Sequence, residues 1–390
     1  MEATTSVIRR MVATSARTVS CGVVALKRFP RESARIGTRL GFLRFGSAEA
    51  VARAVEEACV KKIINAPADI VVDALRGMAA AHPEELRVQT DPAFVARSDA
   101  PVTDKVAVVS GGGSGHEPLH VGFVGPGMLD AAVPGPVFTS PTPDAVQAAV
   151  GKADSGAGTL LVVKNYTGDV LNFETAAELV EASGVGTRTV VVQDDVAVQD
   201  STNTAGRRGV GGTVLLEKIV GAAAERGDDL ATCHEIAERV SANVRSMGMA
   251  LTAPTVPHVG EPSFTLADYE MEIGIGIHGE PGRERVELES ADRVVRRLLD
   301  PVLEDLPFRE GDEVLLFTNS MGGTPGTELY LAHGIAERLL ADRGVRVTRR
   351  LVGPYITSLE MQGMSLTLLK LDDELRNLWD APVRTPALTW

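Results

Sequence analysis

From Asn65 onward, apolar positions change period in a regular alternation between helical and extended spacing. Val71, Ala74, Leu75 and Met78 fall on one helical face, and His82-Pro83 ends that helix. KVAVVS (105–110) reads as a short buried strand running into GGGSGHEP. TLLVVK (159–164) is a second apolar strand, followed by the loop NYTGD. Asn172 is expected to cap a helix over 173–183 that stops at Gly184. RTVVV (188–192) is a third strand, and helices are expected over roughly 213–226 and 230–246. Pro254, Pro257 and Pro262 then interrupt the rhythm, which places a domain boundary near residue 246. Beyond it come a strand over 272–277, a helix over about 291–299 capped by Ser290, and the strand VLLFTN (314–319). A helix over 327–340 and strands near 345–352 and 365–370 complete the chain. Strands alternating with helices predict an α/β fold of two α/β domains, each a mixed sheet flanked by helices. The expected domains are 60–245 and 246–390.

Composition changes the picture mainly at the N-terminus. Residues 1–59 carry 10 Lys/Arg and 5 Asp/Glu, a net of +5, so the remainder of the −13 chain carries −13 − 5 = −18. An acidic body argues against nucleic acid as a partner, because such proteins neutralise phosphates with basic surface. Residues 1–48 are rich in Arg, Ser and Thr, as transit peptides are. The segment 1–59 is nevertheless read as a disordered tail, or as upstream sequence translated from too early a start. No stretch approaches the roughly 18 apolar residues of a membrane span, and a cytoplasmic location is expected. Cys21, Cys59 and Cys233 fit neither a disulfide framework nor a zinc site.

Three loops leave strand ends, where ligands of open α/β sheets bind. They are GGGSGHEP (111–118), KNYTGD (164–169) and GIHGEPG (276–282). The first lacks the Lys-Ser/Thr pair of a phosphate loop and the last glycine of a nucleophile elbow. HEPLH (116–120) matches a zinc-protease pattern in letters, but Pro118 between the histidines suits a helix start, not a helix interior. No metal site is expected. Glycines at 111, 112, 113 and 115 let backbone N–H groups approach a small polar ligand. The same glycines also serve a tight turn with Ser114 as cap, and local sequence does not separate the two. Asp169 is a candidate base, provided it reaches a hydroxyl, and otherwise a turn residue. Lys164 is either beside it or a solvated strand end. His278, flanked by glycines, can add to an electrophilic carbonyl or simply hydrogen-bond within its loop. The residues alone thus predict a polar site for a small neutral molecule, without naming a reaction.

Taken together, KKIIN, GGGSGHEP, FTSPTPD, KNYTGDVLNFETA, DDVAV, AGRRGV, PSFTLAD, GIHGEPG, TSLEMQG and LWDAPV resemble, in the same order, the segments of the dihydroxyacetone kinase K subunit family. The resemblance runs from about residue 60 to the last residue. Val60 sits where family members begin, which supports the reading of 1–59. The resemblance implies a homodimer and a role in glycerol metabolism. It implies that His278 adds to the ketone of dihydroxyacetone to form a hemiaminal. It further implies that His116 bonds the substrate and that Asp169 receives the proton of its terminal hydroxyl. Gly113, Ser114, Gly115, Lys164 and Ser140 would line the pocket. No nucleotide-binding segment is seen up to Trp390. The resemblance therefore implies a separate L subunit, holding ADP or ATP with magnesium and recharged by the phosphotransferase system. Two alternatives stand beside this one: a ketone-sensing coactivator without turnover, and a kinase subunit for another short ketose such as erythrulose.

Overall fold

The computed structural model describes residues 61–198 and 205–390. The N-terminal segment 1–59 lies outside them. Two six-stranded mixed sheets organise the rest. In the first, β1 (Leu86–Thr90), β2 (Ala93–Arg97), β3 (Ala107–Ser114), β4 (Ala131–Val137), β5 (Thr159–Lys164) and β6 (Thr187–Val192) pair in the order β1-β2-β4-β3-β5-β6. The run β4-β3-β5-β6 is parallel, and the hairpin β1-β2 closes one edge antiparallel. In the second, β7 (Val244–Ala250), β8 (Glu270–Ile273), β9 (Glu284–Glu287), β10 (Glu313–Ser320), β11 (Arg346–Gly353) and β12 (Gly363–Leu371) pair in the order β11-β10-β12-β7-β8-β9. Only β10-β11 is parallel there.

Eight helices cover these sheets among the described residues: α1 (Ile70–Ala81), α2 (Pro143–Ala153), α3 (Thr167–Ala182), α4 (Gly212–Arg226), α5 (Leu230–Asn243), α6 (Ala291–Asp305), α7 (Gly326–Ala341) and α8 (Asp373–Asp380). Alternate residues of each central strand feed different cores. Val109, Leu161 and Val163 meet α2 and α3, whereas Val108, Leu160 and Val162 meet α4 and α5. The same middle core takes Leu315, Phe317 and Leu369 from the second sheet, so α4 is packed between both sheets. Every residue of α4 from Gly212 to Ala224 is buried, as expected of a helix with no face for solvent. On the far side, Leu316, Leu366 and Leu368 pack on Val295, Leu298 and Leu299 of α6 and on α7. The boundary expected near residue 246 falls within β7, the first strand of the second sheet.

Several expected elements shift, each for a physical reason. The helix expected at 173 begins at Thr167. Asn172 lies inside it and donates to the Pro141 carbonyl at 2.8 Å instead of capping. An acid in the first helical turn favours the earlier start, and that acid is Asp169. The glycines 111–113 are strand, not loop, because they pair with Val133, Pro134 and Gly135 of β4. A Cβ on Gly111 would stand 2.5 Å from the Val133 oxygen, so the close pairing demands glycine. Residues 244–246, expected to end a helix, open β7. The strand expected over 272–277 ends at Ile273. The helix at 291 runs through Pro301 to Asp305, carried by the apolar stripe Val294, Val295, Leu298, Leu299 and Val302. Its expected cap, Ser290, makes no side-chain cap bond.

Candidate active site

Beyond the carboxyl ends of β3 and β5, a cleft of about 410 Å³ is lined by Gly113, Phe138, Thr139, Ser140, Tyr166, Thr167, Gly168, Asp169 and His278. Four of the residues singled out from sequence, Gly113, Ser140, Asp169 and His278, meet in this wall. Each is delivered by a different segment. Asp169 sits in the first turn of α3, five residues after the end of β5. Gly168 lets Ser140 pack on that turn, since a Cβ there would meet Ser140 Oγ at 2.6 Å. His278 comes from the loop after β8.

The ring of His278 is held by aromatic edges and one carboxylate. Tyr166, His116 and Phe138 stand at centroid distances of 4.6, 4.8 and 5.2 Å, all edge-on. Its Nδ1 is 2.8 Å from Glu280 Oε1, and its backbone N–H donates to Glu280 Oε2 at 3.0 Å. A carboxylate accepts, so Nδ1 carries the proton and Nε2 keeps its lone pair. Burial works to raise the Glu280 pKa, but His278 and the Arg208 guanidinium outweigh it and hold the carboxyl down at about 2. Arg208 is wholly buried and is itself fixed by Asp195 at 2.7 Å and by the Gly274 carbonyl at 2.7 Å.

His116 stands beside His278 with its ring stacked on Phe138 at 4.9 Å. Gly115, at φ +102°, permits this, because a Cβ there would strike the Phe138 ring at 2.8 Å. His116 Nδ1 lies 2.7 Å from the Thr357 carbonyl, which only accepts, so Nδ1 is the donor. The other nitrogen, Nε2, is buried without a hydrogen-bond partner. Burial, reinforced by His278 and Lys164, pushes the His116 pKa well below the usual range. It is therefore a neutral imidazole with an open lone pair.

Lys164 is fully buried. Its ammonium donates to Asp169 Oδ2 at 3.3 Å and lies 3.0 Å from His120 Nε2. Ser114 turns its hydroxyl away, to the Gly135 carbonyl at 2.7 Å. The HEPLH histidines do not converge. His116 packs on Phe138 and His278, which line the cleft, while His120 Nδ1 bonds Glu217 at 2.6 Å. Among the described residues no group of three His, Cys, Asp or Glu side chains stands ready to hold a metal ion. Sequence reasoning passed over Glu280, Tyr166 and Phe138, although each lies within a segment already quoted. The polar residue two positions after His278 was the available signal for Glu280.

Residues 76–387 match the model of the Dak1 domain. The chain belongs to the Dak1-domain family. This Dak1-domain chain is 50% identical over 355 residues to the PEP-dependent dihydroxyacetone kinase, dihydroxyacetone-binding subunit DhaK, of Escherichia coli, covering 85% of this chain and 99% of that protein. It is 49% identical over 315 residues to the corresponding PTS-dependent subunit 1 of Listeria innocua, covering 81% and 95%. Among solved structures, this Dak1-domain chain is similar to a dihydroxyacetone kinase operon co-activator, with a TM-score of 0.76 at 33% identity, covering 81% of this chain and 97% of that one. It is also similar to the dihydroxyacetone kinase of C. freundii in complex with AMP-PNP and Mg2+, with a TM-score of 0.74 at 36% identity, covering 84% of this chain and 60% of that one.

Proposed function

We propose that this chain is the dihydroxyacetone-binding subunit of a dihydroxyacetone kinase, a phosphotransferase, and that His278 holds the ketone as a hemiaminal. The observation that carries the covalent step is the hydrogen bond from His278 Nδ1–H to Glu280, which leaves Nε2 free above the cleft. Nε2 attacks the ketone carbon, and the carbonyl electrons move onto oxygen. The oxygen takes a proton from solvent, and the ring keeps Nδ1–H, so the adduct is an imidazolium paired with the Glu280 carboxylate. Positive charge that develops on the ring is stabilised by the Glu280 carboxylate. Tyr166, Phe138 and His116 confine the ring edge-on. This chemistry selects against glycerol, which has hydroxyls but no carbonyl. Asp169, lining the same cleft, takes the proton from the terminal hydroxyl as that oxygen attacks phosphorus. Phosphate comes from a nucleotide-bearing L-type partner subunit with magnesium, recharged by a phosphotransferase system, and this chain pairs as a homodimer.

Crystals soaked with dihydroxyacetone are expected to show continuous density from His278 Nε2 to the ketone carbon, absent in His278→Ala. Adding an L-type partner is expected to yield dihydroxyacetone phosphate. Ketone bound elsewhere, or brisk phosphorylation with ATP by the chain alone, overturns this reading. A second reading, a ketone-sensing co-activator, is favoured by the similarity to the co-activator structure. It predicts the same density at His278 with no turnover by any L-type partner.

A further inference from the structure

Behind Asp169 lies a file of buried titratable groups that the steps proposed above do not use. Lys164 Nζ is 3.3 Å from Asp169 Oδ2 and 3.0 Å from His120 Nε2, and His120 Nδ1 is 2.6 Å from Glu217 Oε1. Lys164 and Glu217 have no exposed surface, Asp169 and His120 almost none. The file is built, not incidental. A Cβ on Gly112 would stand 2.1 Å from Lys164 Nζ and 3.2 Å from His120 Nε2, so glycine opens the passage between them. Ser110 Oγ donates to the Val162 carbonyl at 2.8 Å and stands 3.0 Å from His120 Nδ1. Glu217 Oε2 is buried without a partner.

We propose that His120 and Glu217 are positioning residues for the phosphoryl-accepting step, forming with Lys164 a proton relay that sets the basicity of Asp169. The proposal rests on the kinase-subunit reading above. The relay has two arrangements of equal net charge. In one, the Lys164 ammonium donates to His120 Nε2, and His120 Nδ1–H donates to the Glu217 carboxylate. In the other, a protonated Glu217 donates to Nδ1, and Nε2–H donates to a neutral Lys164 amine. When Asp169 is ionised, its charge favours the ammonium. As the substrate hydroxyl loses its proton to Asp169, its electron pair turns to phosphorus and that charge disappears. One proton then moves from Lys164 Nζ to His120 Nε2, and another from His120 Nδ1 to Glu217 Oε1. No cation is stranded beside a neutral acid in the interior, where such isolation is costly. The groups facing the imidazole are Glu217 from α4, Lys164 from β5, Ser110 from β3 and His116 from its own turn. Burial pushes Glu217 up to about 8, where it exchanges a proton near neutral pH.

Glu217→Gln keeps the shape and removes the proton acceptor. In the full chain with its L-type partner, kcat is expected to fall about tenfold, a fraction of what a direct acid–base group supplies. KM stays unchanged and the acid limb of the kcat profile moves to lower pH. Gly112→Ala, which parts Lys164 from His120, is expected to give the same profile shift. A third measurement needs no turnover. In 15N spectra of the His120 ring, Asp169→Asn, a mimic of the protonated acid, is expected to shift the population toward Nε2–H. An unmoved pH profile in Glu217→Gln, or one His120 tautomer in both proteins, overturns the relay. If the unaltered chain forms no product with any L-type partner, the kinase-subunit reading fails, and the ring spectra still decide the relay.

Discussion

Two buried glutamates each stand beside a histidine, and their surroundings displace their pKa values in opposite directions. Glu280 is held at about 2, whereas Glu217 is pushed to about 8. Burial raises both. The difference lies in what else reaches the carboxyl. Glu280 has the His278 ring, a backbone N–H and the Arg208 guanidinium. Glu217 has the Ser110 hydroxyl, the more distant charge of Lys164 and an imidazole, with one oxygen left without a partner, and burial prevails. A carboxylate buried with enough donors is a fixed charge, suited to steadying a cationic ring. One buried without them becomes a proton carrier. The molecule thus places a firmly ionised carboxylate beside His278 and a readily protonated one in the file behind Asp169.

The largest effect expected is at His278. Replacing it with Ala should abolish the covalent adduct, checked by density in soaked crystals. Asp169→Asn should leave the adduct intact and lower kcat about 10²–10⁴-fold, measured by coupled assay with the partner subunit. Glu280→Gln tests the fixed charge. The folded pKa is depressed from 4.5 to about 2, so this group contributes stability above the unfolded pKa and loses it as pH falls through the folded one. At neutral pH that contribution is about 3 kcal/mol. Denaturant titrations should show the gap between natural protein and variant closing from pH 5 toward pH 2. Glu217→Gln should behave oppositely. Its raised pKa makes the natural protein lose stability as pH rises from about 4.5 to about 8, so the variant gains on it over that window. The smallest effect is at Thr357, which anchors the turn carrying His116. Thr357→Val removes the hydroxyl that donates to the Glu117 carbonyl at 2.9 Å, and should cost about 1 kcal/mol in the same titrations.

The central strands were legible because their apolar runs are long and buried on both faces. TLLVVK and VLLFTN coincide closely with β5 and β10. Short or polar strands were not. β9, with the sequence ERVE, is mostly exposed and has no pattern to read. β4 carries Pro134, Gly135 and Pro136, which locally argue for a turn, and tertiary pairing with β3 overrides them. At the site, the loops and their histidines were visible as glycine-flanked polar residues. What was hidden is which groups stand behind them. Glu217 lies 97 positions from His120 inside an apolar helix, and no local spacing announces that meeting. In sequence Asp169 looks like a loop residue, because a Gly-Asp pair resembles a turn. Its place in a helix start follows from the β5-to-α3 connection.

The bond from His116 to the Thr357 carbonyl spans 241 positions of sequence. Leu359 N–H likewise donates to the Gly115 carbonyl at 2.8 Å, from the other end of the chain. The orientation of the first histidine is therefore settled only when the segment before the final strand has emerged from the ribosome. A nascent or prematurely terminated polypeptide lacks that anchor. The wall that His116 gives to the His278 ring is thus completed late in synthesis.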